Sequence, residues 1–114
     1  MADKMENLVI KVQRTLDAVY GYGVSTDHGS FGYQATQGSV VFGLKARNAA
    51  LEEMASAIHE GWALIARYFE DPIYASKPEK REMRLKLADT PYSALPEEEK
   101  IKDRLVALAI KGGL

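Results

Sequence analysis

Two blocks, Ile58-His59-Glu60-Gly61-Trp62 and Pro91-Tyr92-Ser93-Ala94-Leu95-Pro96-Glu97-Glu98-Glu99-Lys100-Ile101-Lys102-Asp103-Arg104, decide how this 114-residue chain is read. The first lies in a run whose apolar residues recur at helical spacing: Leu51, Met54, Ala55, Ile58, Trp62, Ile65 and Phe69. Asn48 suits the N-cap of that helix, and Glu52 and Glu53 sit near the positive end of its dipole. Asp71-Pro72 stops it, because the residue before proline avoids the α region. The second block is a turn that opens another helix. Pro96 starts it, Glu97, Glu98 and Glu99 fill its first turn, and Gly112 ends it. Ile101, Leu105 and Leu108 are its expected buried stripe.

Between the blocks the chain is polar and basic, with Lys77, Lys80, Arg81, Arg84 and Lys86 set against Glu79 and Glu82. Pro78 can begin a short helix that runs to about Ala88, although the alternation of Met83, Leu85 and Leu87 suits a strand equally well. Upstream, Met5, Leu8, Val9, Val12, Leu16, Val19 and Tyr20 predict a helix over 3–20, capped by Asp3 and ended by Gly21. Residues 21–34 hold four glycines together with Tyr22, Phe31 and Tyr33, which marks an irregular aromatic loop able to fold back on the domain. Gly21-x-Gly23 lacks the rest of a dinucleotide fingerprint. Ala35–Arg47 is open: the β-branched Ser39-Val40-Val41-Phe42-Gly43-Leu44 suits a strand, and the spacing of Val40, Leu44 and Arg47 suits a helix.

Bulk properties set limits. The length fits one domain, and 46% apolar residues suffice for one core. Fifteen basic and sixteen acidic residues give a net charge of −1, which argues against a dedicated duplex nucleic-acid binder. Without cysteine there is no disulfide, thiolate metal site or cysteine nucleophile. No apolar run approaches the roughly 20 residues of a membrane span, and the N-terminus lacks a signal-peptide layout, so a cytoplasmic protein is expected.

The two opening blocks resemble the ryanodine-receptor repeat, the RyR domain. His59, Glu60 and Trp62, then Pro91-Tyr92, then Leu95-Pro96-Glu97-Glu98-Glu99-Lys100 and Asp103 follow that family's order and approximate spacing. The likeness covers roughly residues 50–112 and points to the small stand-alone members found in bacteria and phages. It implies a mainly α single domain with a few short strands, divided into N-terminal helices and the glycine-aromatic loop (1–48) and a RyR-like core (49–114). It also favours the helical reading of 35–47. Two family features are missing. Tyr68-Phe69-Glu70-Asp71-Pro72-Ile73-Tyr74 stands where a Gly-Trp-x-Tyr-Gly motif is usual, and Leu87-Ala88-Asp89-Thr90 stands where a His-Pro is usual.

The resemblance implies a non-enzymatic module that binds, and by analogy sequesters, an adenine-type nucleotide or nucleotide-derived signal. Paired repeats in the channel and a single copy here lead to an expected homodimer, in the host cytoplasm if the chain is viral. The expected ligand-binding residues are Trp62, Tyr92 and His59, with Arg81, Arg84 and Lys86 for phosphate. Each has a plainer reading. Trp62 and Tyr92 fit a core, His59 a structural hydrogen bond, and the cations a solvated face. No catalytic set, metal site or cofactor is expected, since His28 and His59 lack ligand-like spacing. The alternative is a protein-interaction module with no small ligand. A third reading is a nucleotide hydrolase using His59 and Glu60.

Overall fold

A computed structural model describes residues 4–69 and 76–113. Among them lie α1 (Lys4–Tyr20), α2 (Phe31–Lys45), α3 (Leu51–Tyr68), α4 (Pro78–Ala88), a 3-10 turn (Tyr92–Ala94) and α5 (Glu97–Lys111). The expected Asp3 cap and the Asp71-Pro72 stop lie outside the described residues. No helix among the described residues is long and apolar enough to cross a membrane.

The chain is built on the hairpin of α2 and α3. Ser30 caps α2, accepting the Tyr33 N–H at 3.2 Å, so the helix starts at Phe31, inside the segment expected to be loop. The two helices cross where Gly38 faces Gly61. A Cβ on Gly38 would lie 2.6 Å from the Gly61 carbonyl oxygen, and one on Gly61 would collide with the Gly38 carbonyl. Backbone therefore meets backbone, which only glycine allows. One turn along, Gly43 leaves room for Ile58 and Ile110. This packing overrides the strand propensity of Ser39–Leu44. The alternating Met83–Leu87 stretch is likewise helical, and the short strands implied by the resemblance do not occur among the described residues.

Two boundary readings need correction. Asn48 does not cap α3. It is exposed in the turn over 46–50 that reverses the hairpin, and Ala50 takes the cap position without a side-chain bond. Lys111 instead ties that turn down, donating to the Arg47 and Ala49 carbonyls at 3.1 and 2.6 Å. The buried face of α5 is also not Ile101–Leu105–Leu108. Ile101 and Leu108 are exposed, and Val106, Ala107, Ala109 and Ile110 enter the core. The helix is turned so that Asp103, one of the motif residues, shares its inner side with Val106 and Ile110.

The main core joins Val9 and Val12 of α1, Tyr33 and Val40 of α2, Met54 and Ile58 of α3, and Val106 and Ile110 of α5. A second cluster, Phe31, Ala35, Ala63, Ala66 and Ala88, packs with Trp62, Ile65 and Phe69 and brings α4 against the hairpin. The 3-10 turn closes the far end, where Tyr92 and Leu95 pack on Ala55.

Candidate functional site

The elements leave a cleft of about 520 Å³ among α1, the following loop, α2, α3, α4 and α5. Trp62 and Phe31 line it beside Tyr22, Leu16 and Leu95, so its wall is largely apolar. Lys80, Arg84, Lys102, Glu99, Asp103, Gln13 and His59 add polar atoms. A mostly apolar hollow with a few converging polar groups is the usual form of a small-ligand site. Trp62 is half-buried, and its indole lies near-parallel to the His59 ring, with centroids 5.8 Å apart.

His59 is buried and lines both this cleft and a second hollow of about 440 Å³. Its Nε2 is 2.7 Å from the Thr90 carbonyl oxygen. A carbonyl only accepts, so Nε2 carries a proton and Nδ1 faces the other way. There Asp103 Oδ2 stands at 3.8 Å, beyond hydrogen-bond range. Among the described residues no hydrogen bond reaches the Asp103 carboxyl. Burial, and secondarily the neighbouring Glu99, push its pKa up to about 8 from an ordinary 3.8, with Lys102 opposing. At neutral pH it is a protonated acid, with one O–H to give and one oxygen to accept.

Gln13 is a further polar group lining the cleft. It is 6% exposed, and its Oε1 has no hydrogen-bond partner among the described residues. Arg84 is buried with its guanidinium 4.3 Å from the Phe31 ring centroid and donates to the Phe69 carbonyl at 3.4 Å. Lys102 is held by Glu99 at 2.9 Å and lies over the Tyr20 and Tyr22 rings. Burial alone would lower its pKa, but Tyr22 and Glu99 outweigh that and hold it above the ordinary value. The glycine-aromatic loop thus folds back onto α5 through Tyr22. Its Gly23 N–H is taken by the Asp17 carboxylate, which leaves little of a phosphate cradle.

The residues expected to bind ligand divide into three groups. Trp62, His59 and Arg84 meet in the cleft. Tyr92 lines the second hollow instead, buried, with its O–H donating to Glu52 Oε2 at 2.7 Å. Burial first, and that bond next, raise its pKa to about 12. Glu52 also accepts from Arg104 Nε at 2.7 Å, and Arg104 bonds Glu97. Arg81 and Lys86 are exposed on α4 and line neither hollow. Lys80, which belongs to the basic run over 77–86 weighed for phosphate, does line the cleft, whereas sequence reasoning missed Gln13, Lys102 and the cleft role of Asp103. Gln13 carried a signal, since it falls beside Val12 on the apolar stripe of α1. Among the described residues no group of three or more histidines, aspartates or glutamates could hold a metal ion.

No family model matches the chain, and neither a curated protein nor a solved structure does.

Proposed function

We propose that the chain is a RyR-type module that binds a flat, anionic small ligand, an adenine-type nucleotide or nucleotide-derived signal, without transforming it. The observation that carries this reading is the cleft. The half-buried Trp62 forms its wall with Phe31, and Lys80, Arg84 and Lys102 stand around it. Stacking of a base on an aromatic ring contributes about 1–3 kcal/mol. Guanidinium and ammonium groups beside that ring suit phosphate oxygens. Binding without turnover is supported by His59. Its Nε2–H is spent on the Thr90 carbonyl, which makes the ring a strut between α3 and the turn after α4. Sequestration of a signal follows from the resemblance alone, and a cytoplasmic setting from the apolar patterning of the sequence.

The second reading, a protein-interaction module, is favoured by Ile101 and Leu108, which lie exposed along the outer side of α5. The same stripe would serve the expected homodimer. Titration calorimetry of the full chain against linear and cyclic adenine nucleotides separates the readings. A nucleotide site gives saturable heat that Trp62→Leu abolishes and Lys86→Ala preserves. Absence of heat with every nucleotide leaves the interaction module.

A further inference from the structure

Gln13 and Asp103 come from helices at opposite ends of the chain, yet both line the one cleft. Each is costly as it stands. A buried acceptor without a donor costs about 1–3 kcal/mol, because it has given up water and gained nothing. Gln13 Oε1 is such an acceptor. The Asp103 carboxyl side chain is 14% exposed, and the His59 Nδ1 stands 3.8 Å from its Oδ2, too far for a hydrogen bond. Core packing does not call for either group, since leucine in either place would fill similar space and bring no unpaired polar atom. Nor does either support the other elements, in contrast to Tyr92 or Arg104, whose polar atoms are paired.

We propose that Gln13 and Asp103 read the edge of the ring that stacks on Trp62, and that this ring carries an exocyclic amino group next to a ring nitrogen. The inference rests on the cleft being the ligand site. The chemistry follows from hydrogen-bond inventory. Gln13 Oε1 accepts one N–H of the amino group, and an Asp103 oxygen accepts the other. The Asp103 O–H, present while the acid is protonated, donates to the adjacent ring nitrogen. Rotation about the last torsion of Gln13, which is broad for an amide, turns Oε1 into the cleft. Among nucleobases, adenine and cytosine present this edge. Phosphate contacts then hold the ligand, and these two residues choose it.

The only tryptophan, Trp62, reports on its own cleft by fluorescence. The full chain is titrated with adenosine monophosphate and with the same nucleotide lacking the amino group, and in parallel with cytidine monophosphate and its own analogue lacking that group. The proposal predicts that each loss of the amino group weakens binding at least about tenfold, the cost of one mismatched buried partner. The stronger arm identifies a purine or a pyrimidine ligand. Gln13→Leu should remove most of the difference, and Asp103→Asn, which keeps a donor and an acceptor, should retain it. Equal quenching by each nucleotide and its analogue overturns the edge reading and leaves the cleft as a site. Quenching by none of the four overturns both. Comparison of ligands on the unaltered chain needs no variant to fold.

Discussion

Two polar clusters share α3 and α5 and differ in whether their atoms are satisfied. On one side Tyr92 bonds Glu52, Glu52 bonds Arg104, Arg104 bonds Glu97, and Lys100 lies over the Tyr92 ring. Every charge there has a partner, and the result is a clamp that seats the 3-10 turn on α3. On the other side Gln13 and Asp103 line the cleft without hydrogen bonds among the described residues to Oε1 or the carboxyl. His59 stands between, bonded to Thr90 on the clamp side and facing Asp103 on the other. The difference teaches that the resembling motif is mostly scaffold. His59, Tyr92, Pro96, Glu97 and Lys100 position elements, and on the proposed reading the choice of ligand falls to the two residues of the cleft that the scaffold leaves without hydrogen bonds, Gln13 at Oε1 and Asp103.

The harshest way to break the comparison is to remove the frame common to both clusters. Gly61→Ala places a methyl group against the Gly38 carbonyl and forces α2 from α3. The expected loss is about 3 kcal/mol or more, read as a collapse of the denaturation midpoint. Ligand binding and the Tyr92 clamp should disappear together.

Next in size is Asp103→Asn, which keeps the shape and removes the acid. The unfolded chain loses the Asp103 proton near 3.8, and the folded chain keeps it to about 8. Folding therefore holds an extra proton between those values, and stability is full at the acid end and drains as pH rises through the range. The groups around Asp103 are His59 of α3 and Glu99 and Lys102 of its own helix, with Arg84 of α4 lining the same cleft and Gln13 of α1 uncharged. The variant should flatten this slope in thermal melts and be the more stable form above about pH 8 by roughly 1–3 kcal/mol. A slope unchanged by the substitution would remove the buried acid from the account.

The smallest effect tests the clamp. Tyr92→Phe deletes one hydrogen bond to a carboxylate that water can reach, so about 1 kcal/mol should be lost in urea denaturation. Nucleotide affinity should not change, because Tyr92 faces the second hollow. A parallel fall in affinity would merge the two clusters into one site.

Much of the frame was legible in the sequence. The stripe Leu51–Phe69 located α3 to within a residue of its end, and Pro78, Pro96 and the three glutamates located the starts of α4 and α5. What escaped had physical causes. Glycines at a helix crossing look like breakers until the partner helix is known, so the Gly38–Gly61 contact could not be read from either segment. The inner side of α5 includes a charged residue, and a search for apolar periodicity therefore settled one face away. The cleft was half visible: Trp62, His59 and Arg84 were named from their types and spacing. Gln13 was not, because its importance lies in an unmade bond, and Arg81 was chosen over Lys80 only by side-chain chemistry.

The central claim is that ligand binds on the Trp62 side of His59 and not on the Tyr92 side. The most direct test follows proton–nitrogen NMR signals of the full chain during titration with adenosine monophosphate. The account predicts saturable shifts of the Trp62 indole N–H and the Gln13 side-chain amide, with the backbone signals of Glu52 and Tyr92 nearly still. Shifts concentrated at Glu52 and Tyr92, with the indole and the Gln13 amide unmoved, would contradict it.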